Sequence, residues 1–188
     1  MMNIWISGYR NYELNIFRSD DQRIEVLKHL LGQQLRTKIE QGLTWVLTGG
    51  QLGIEQWTLE AALDLKRDYP ALKIALILPF ADFAQKWQPE KQTVLLKLKE
   101  KVDFCAEVSR RPYQSPQQLK NWQTFMLKHT KQALLVYDPE HPGKSRYDYQ
   151  AIQTYQCRHD YPLDLLDFDW LQTASQDYLE EINENHLQ

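Results

Sequence analysis

The sequence predicts a doubly wound α/β fold, with a mainly parallel sheet of five to six strands and helices on both faces. Short apolar runs alternate with longer amphipathic ones from end to end, which is the rhythm of parallel strands joined by right-handed crossovers. Two of the runs, residues 74–78 and 133–137, are apolar without alternation, as strands covered on both faces are. With 188 residues, 43% of them hydrophobic, the chain has material for a single domain, residues 1–188.

The predicted elements follow one another in that rhythm. The first helix opens with a capping box at Ser19 and ends at Gly42, and the fourth opens with a second box at Ser115. The polar tail after about residue 182 is expected to fray. Strands are expected at 3–7, 43–48, 73–79, 103–108, 133–138 and 163–168, with further helices at 54–67, 90–101 and 144–158.

The charge, the length of the apolar runs and the cysteine spacing argue against several classes of protein function. A net charge of -3 argues against a general nucleic-acid binder, which needs a basic face. No apolar run reaches the roughly 20 residues of a membrane span, and the N-terminus has no signal-peptide pattern, so we expect a cytoplasmic protein. The two cysteines, Cys105 and Cys157, lack ligand-like spacing, so no metal site is expected and Cys105 is interpreted as a small buried residue.

The most informative segment is the glycine-rich loop between the second strand and the following helix. Thr48, Gly49, Gly50 and Gly53 stand between the apolar run and the helical segment. Closely spaced glycines at a helix N-terminus offer unhindered N–H groups and a positive dipole end, which favours an anion such as phosphate. The pattern is G-G-x-x-G and not G-x-G-x-x-G, so the alternative is a tight turn without a ligand.

Glu55 lies in the first turn of the same helix, where two interpretations remain open. A negative charge at a helix N-terminus is favourable, so a capping role explains this residue. A carboxylate beside a phosphate would repel it. A functional Glu55 would therefore hold ribose hydroxyls or act as a catalytic base.

Other segments follow predicted strands and are expected to meet the glycine loop, because ligands bind outside the carboxyl ends of parallel strands. Segment 7–10 follows the first strand and segment 109–113 the fourth. The Arg-Arg pair in the second segment either neutralises a phosphate or lies in a solvated loop. Pro79 follows the third strand, and residues 143–145 follow the fifth. The ligand contacts expected from these four segments are Gly8, Tyr9, Pro79, Arg110, Arg111, Gly143, Lys144 and Ser145.

Residues 143–145, Gly-Lys-Ser, resemble the end of a phosphate-binding P-loop. Asp138 stands where that motif requires its first glycine, and two prolines remove backbone donors. A P-loop NTPase is therefore not expected. Two interpretations of residues 143–145 remain, which are a second contact to a phosphate or ribose and the plain start of a helix. Two tryptophans near the nominated loops, Trp57 and Trp87, either stack a base or pack in the core.

These motifs together resemble the YpsA family, and the resemblance covers nearly the whole chain. The family belongs to the SLOG superfamily of Rossmann-like domains, related to the LOG phosphoribohydrolases and the DNA-processing protein DprA. The matching segments are 6–10 (Ile-Ser-Gly-Tyr-Arg) with 13–14 (Glu-Leu), 48–57 (Thr-Gly-Gly-Gln-Leu-Gly-Ile-Glu-Gln-Trp), 78–80 (Leu-Pro-Phe) with Trp87, 136–138 (Val-Tyr-Asp) and 143–145 (Gly-Lys-Ser).

The resemblance implies a pocket for NAD or an ADP-ribose-like nucleotide. It would be lined by Gly8, Gly49, Gly50, Gly53 and Glu55, with Trp57 and Trp87 nearby. The LOG enzymes carry a P-G-G-x-G-T-x-x-E motif with a catalytic glutamate, and residues 138–146 here lack that pattern, so their activity is not carried over.

The resemblance also implies a sensing or regulatory protein with a protein partner in cell division. The alternatives are an enzyme that cleaves an N-glycosidic bond of the nucleotide, with Glu55 as its catalytic residue, and an interaction module with a vestigial pocket. Neither nucleic acid nor a membrane is expected as a partner, and the sequence indicates no oligomeric state.

Overall fold

The protein contains one six-stranded sheet in which every strand pairs in parallel with its neighbours. The structure is a computed structural model and describes residues 1–186. The strands are β1 (Met2–Gly8), β2 (Leu43–Thr48), β3 (Lys73–Phe80), β4 (Phe104–Ser109), β5 (Gln132–Val136) and β6 (Leu163–Leu166). Their order in the sheet is β4-β3-β2-β1-β5-β6, so the chain reverses its direction of winding between β1 and β5. This order confirms the predicted doubly wound α/β fold.

Helices cover both faces of this sheet. They are α1 (Gln22–Glu40), α2 (Ile54–Leu65), α3 (Pro89–Lys101), α4 (Gln117–His129), α5 (Arg146–Gln156) and α6 (Phe168–His186), with a 3-10 turn at Asn11–Leu14. The first three pack side by side, and α4 packs against α5. Because right-handed crossovers in opposite directions place helices on opposite faces, α4 and α5 lie across the sheet from α1 to α3. Helix α6 returns to pack against α1.

The central strands form the core, and they also fix α4 beside the sheet. Trp5 in β1 is fully buried and meets the ring of Trp122 edge-on, with ring centroids 5.6 Å apart. The Trp122 indole N–H donates a 2.7 Å hydrogen bond to the Ile77 carbonyl of β3. Helix α4 is therefore anchored to the sheet by one directional bond as well as by apolar contact, which matters because α4 forms one wall of the site described below.

Both predicted capping boxes are wrong in detail. Helix α1 begins at Gln22, and Asp21, not Ser19, caps it by accepting the Arg23 N–H at 3.0 Å. A charged carboxylate is the stronger acceptor at a positive helix end, so it displaces the serine hydroxyl. At α4 only the glutamine half of the box forms, since the Gln118 side chain accepts the Ser115 N–H at 3.2 Å while Ser115 caps nothing.

Two further expectations fall at the ends of the fold. Cys105 is exposed and not buried, because β4 is an edge strand whose residues are only partly covered. The tail after about residue 182, which we expected to fray, begins within the last turns of α6, and residues 187–188 lie outside the described part. Within residues 1–186, no helix is both long and apolar enough to cross a membrane.

Candidate functional site

A cleft of about 1370 Å³ opens at the carboxyl ends of β1, β2 and β3 and continues between α4 and α5. It adjoins the point between β1 and β5 where the order of the strands reverses, which is where ligands bind in open α/β sheets. Of the residues predicted from the sequence, those that line it are Gly8, Gly49, Gly50, Glu55, Pro79, Lys144 and Ser145.

Two carboxyl groups share one serine hydroxyl in the inner wall of the cleft. Ser7 Oγ lies 3.0 Å from Glu55 Oε1 and 2.8 Å from Asp148 Oδ2. The Gln51 backbone N–H donates to Glu55 Oε2 at 2.8 Å, and the Gln123 amide donates to Asp148 Oδ1 at 2.7 Å. All four carboxyl oxygens therefore have a partner, and one hydroxyl proton is available for two acceptors.

Burial and the proximity of the two carboxyl groups together retain a proton in this cluster. Burial, and after it the neighbouring Asp148 carboxylate, raise the pKa of Glu55 to about 7, against the lowering effect of the Gln51 and Ser7 hydrogen bonds. Burial also raises the pKa of Asp148, while its bonds from Gln123 and Ser7 lower it. Near neutral pH the pair is thus poised to hold one proton, which lets one carboxyl donate to Ser7 Oγ while Ser7 donates to the other.

A positive charge faces this pair from the β1 connection. Arg10 lines the cleft, and its charge lowers the pKa of both Glu55 and Asp148. Among the described residues it forms no ion pair with either carboxylate. Arg10 was within the segment nominated after the first strand, but it was assigned no role there.

Glu13 joins the loop after β1 to the loop after β5. Its two carboxylate oxygens accept the Arg10 N–H at 2.8 Å and the Lys144 N–H at 2.6 Å. Gly143 belongs to this contact, because a Cβ there would lie 2.9 Å from the Glu13 carboxyl carbon. The Glu13 carboxylate therefore fixes the backbone at Arg10 and at Lys144, the two residues that bring positive charge to the cleft.

The glycine loop is occupied by the protein's own carboxylate. The Glu55 side chain folds back over the loop, so that a Cβ on Gly49 would lie 2.8 Å from the Glu55 carboxyl carbon, and Oε2 takes the Gln51 N–H. A Cβ on Gly50 would meet Leu78 at 2.7 Å. The position expected for a ligand phosphate is thus filled from within.

Gly53 serves the packing of two loops and does not line the cleft. It has a φ of +115°, and a Cβ there would lie 2.6 Å from the Tyr9 carbonyl oxygen. The adjacent Ile54 N–H donates to that same oxygen at 3.1 Å. A glycine is required because the backbone of the β1 connection passes directly over it.

Other sequence-predicted residues support the site from outside the cleft. The Tyr9 hydroxyl donates to the His141 carbonyl at 2.6 Å and accepts the Asp138 N–H at 2.9 Å, and Thr48 donates to the Ile6 carbonyl at 2.6 Å. The remaining residues that the structure does not bring to the cleft are Trp57, buried in the core, Trp87, packed behind Phe83, Gly143, and the exposed pair Arg110 and Arg111.

An aromatic rim borders the cleft where β3 and β4 end. The Tyr113 ring is 53% exposed and packs against Phe80 with centroids 5.2 Å apart, and Phe80 in turn packs against Phe83. Tyr113 and Phe83 both line the cleft. A partly exposed ring held from one side is a surface on which a planar base stacks.

Sequence reasoning gave no signal for two polar residues of the site, Gln123 and Asp148. Both lie in helices, and each reaches the cleft only because α4 and α5 meet there. Asp148 and Ser7 are 141 positions apart in the chain. Across residues 1–186, no group of three or more His, Cys, Asp or Glu side chains is arranged to hold a metal ion.

Comparison with known proteins identifies the family. The model of the YpsA family, described as the YspA SLOG family, matches residues 4–171. The chain is 51% identical over 183 residues to the UPF0398 protein of Lactiplantibacillus plantarum, which spans 97% of both chains. It is 52% identical over 185 residues to the UPF0398 protein of Leuconostoc citreum, which spans 98% of both. The chain therefore belongs to the YpsA family of the SLOG superfamily.

Proposed function

We propose that this is a cytoplasmic protein that binds a nucleotide-derived ligand, such as NAD or an ADP-ribose-like molecule, in the cleft. The observation that carries this proposal is the cluster of Glu55, Ser7 and Asp148 at the switch point of the sheet. Carboxylates at such a point hold ribose hydroxyls in other nucleotide-binding α/β folds, because each hydroxyl is a donor that a carboxylate accepts.

The rest of the cleft complements the other parts of such a ligand. Tyr113 and Phe83 offer aromatic surface for a base, and Arg10 and Lys144 offer positive charge for phosphate. The volume of about 1370 Å³ exceeds the roughly 300–1,000 Å³ of typical small-molecule pockets, so a ligand as long as a dinucleotide has room.

The proposed role is sensing, in which a protein partner recognises the occupied state. Residues of both α4 and α5 line the cleft, so a ligand bound there bridges two helices whose outer surfaces face solvent. The resemblance to the family suggests that the partner acts in cell division.

The test of ligand binding is isothermal titration with NAD, ADP-ribose, AMP and adenosine. At least one should bind, and Asp148→Asn should weaken it about tenfold or more, since a hydrogen bond to a charged group contributes roughly 1.5–3 kcal/mol. Glu90→Gln is the matched control, because Glu90 also lies in the first turn of a helix but outside the cleft. If none of the four ligands binds, the interaction module with a vestigial pocket replaces this proposal.

A second candidate is cleavage of the N-glycosidic bond of the bound nucleotide. The observation that favours it is a carboxyl group with a pKa of about 7, Glu55, beside a second carboxyl, which is the arrangement that general acid–base chemistry requires. Chromatography of the incubated ligand should then show free base, and Glu55→Gln should lower kcat about a hundredfold while binding changes little. Recovery of intact ligand would leave binding alone.

A further inference from the structure

We propose that the cleft holds the phosphoryl end of its ligand at the N-terminus of α5, on Ser145, Lys144 and Arg10, and that the glycine loop after β2 does not hold it. This inference rests on the proposed function and names which end of the site takes which part of the ligand.

The glycine loop is excluded as the phosphate site because Glu55 already occupies it and accepts a hydrogen bond from its backbone. Glu55 Oε2 accepts the Gln51 N–H at 2.8 Å, and the Gln56 amide donates to the Gly50 carbonyl at 2.9 Å, which fixes the loop around the carboxyl group. A phosphate would have to displace Glu55 from a buried position or lie against the negative charge that Glu55 shares with Asp148. Both alternatives cost free energy. At the N-terminus of α5 the Lys144 N–H is also in use, by Glu13, but there the cleft is lined by the side chains of Lys144 and Ser145, and no carboxylate needs to be displaced from them.

The N-terminus of α5 has an unused donor. Ser145 is the N-cap residue, it is only 4% exposed, and it lines the cleft. Its side chain accepts no capping hydrogen bond from the helix, and its hydroxyl has no hydrogen-bond partner among residues 1–186. The Ser145 hydroxyl oxygen is open to the cleft, where a phosphoryl oxygen would accept its hydrogen bond.

Two positive side chains line the same cleft as this hydroxyl. Lys144 directly precedes Ser145 in the chain, and Arg10 lies in the β1 connection. Neither side chain forms an ion pair within the described residues, whereas the Glu13 carboxylate is held by two backbone N–H groups. The positive end of the α5 dipole adds to their effect.

One negative group lies in the same helical turn. Asp148 is the first-turn acid of α5, but its oxygens accept hydrogen bonds from Ser7 and Gln123, so it is engaged with the ribose end of the site. The cleft thus carries both kinds of group, with carboxyl groups that accept from hydroxyls and cations that attract phosphate. A ligand that uses both carries hydroxyls and a phosphoryl group, as a phosphorylated nucleoside does.

The experiment compares AMP with adenosine, which differ only in the phosphoryl group. Titration of the wild-type protein should give an affinity for AMP at least about tenfold above that for adenosine, equivalent to about 1.4 kcal/mol. Lys144→Gln and Ser145→Ala should each reduce this ratio, and the double variant should bring it below about threefold. Arg110→Gln removes an arginine outside the cleft and should preserve the ratio.

The outcomes separate the two proposals. If AMP binds and the double variant keeps the full AMP-to-adenosine ratio, the phosphoryl site is elsewhere and only this inference fails. If none of NAD, ADP-ribose, AMP and adenosine binds the wild-type protein, the proposed function fails and this inference fails with it. Because Ser145 makes no capping bond, Ser145→Ala should melt within about 2 °C of wild type, so a lost preference cannot be attributed to unfolding.

Discussion

The β2–α2 and β5–α5 connections share one design, in which a strand passes through glycine to a helix N-terminus at the same edge of the sheet. They differ in what occupies the helix end. In the first connection Glu55 reaches back and takes the Gln51 N–H, whereas in the second the Ser145 hydroxyl and the Lys144 ammonium face an open cleft. The connection with more glycines is thus the one that is closed to an anion.

The difference arises from the position of the acidic residue in each helix. Glu55 is the second residue of α2, and its longer side chain folds over the loop that precedes it. Asp148 is the third residue of α5, and its shorter side chain points to Ser7 across the cleft. An acidic residue in the first turn therefore does not by itself show whether the helix N-terminus is free to bind an anion. Its exact position in the turn decides this.

The glycines of the two connections should differ most in their tolerance of a side chain. Gly53→Ala forces a Cβ against backbone atoms at a φ of +115°, so we expect it to lower the free energy of unfolding by about 4 kcal/mol or more. Gly143→Ala meets the carboxyl end of the Glu13 side chain and, at 3.3 Å, the edge of the Tyr9 ring, with no backbone atom among its nearest contacts, and a loss of about 1 kcal/mol is expected. Thermal denaturation of both variants measures this, and equal losses would contradict the role assigned to Gly53.

The buried carboxyl in the first connection should make stability depend on pH. Folded Glu55 keeps its proton up to about pH 7, whereas its ordinary pKa is 4.5. The stabilisation is therefore fully present below pH 4.5 and is lost as pH rises through 7, by about 3 kcal/mol in all.

Glu55→Gln removes this titration. Relative to wild type, the variant should gain stability by about that amount between pH 4.5 and 8. Urea denaturation at several pH values is the measurement, and a constant difference between the two proteins would show that Glu55 titrates normally.

The contact by which Glu13 joins the loop after β1 to the loop after β5 should contribute less to stability. Glu13→Ala leaves the Arg10 and Lys144 N–H groups without their acceptor, so we expect a loss of about 1–2 kcal/mol in the free energy of unfolding. AMP affinity should fall severalfold, because both cations lose their fixed starting points. Glu13→Gln keeps one acceptor oxygen and should lie between wild type and the alanine variant. Unchanged affinity in Glu13→Ala would show that this contact does not position the cations.

The smallest expected effect concerns the aromatic rim. Tyr113→Leu removes an exposed ring that lines the cleft and should weaken nucleotide binding by about 0.5–1.5 kcal/mol. Trp87→Phe alters a ring that packs behind Phe83 and should change affinity less than twofold. Titrations of both variants with AMP compare the two, and the reverse ranking would place the base at Trp87.

The fold could be predicted from the sequence because its signals are local. The apolar runs of β2 and β3 and the end of α2 near Leu65 follow from periodicity over a few residues. The capping boxes at Ser19 and Ser115 failed because a neighbouring carboxylate and a proline alter which residue caps the helix.

The site could be predicted only in part, because its geometry depends on contacts between distant segments. The rule that ligands bind after the strands points to Gly49, Glu55 and Lys144, and all three line the cleft. It does not indicate the direction of each side chain, so Tyr9 and Thr48, which turn into backbone contacts, were expected in the cleft. Asp148 was not identified, since nothing near it in sequence indicates that α5 faces β1.

The most direct test of the contrast between the two connections is a crystal structure of the protein with AMP. The account predicts the phosphoryl group within about 3 Å of Ser145 Oγ and next to Lys144, with Glu55 still bound to the Gln51 N–H. A phosphoryl group on the N–H groups of the glycine loop, with Glu55 displaced, would contradict it.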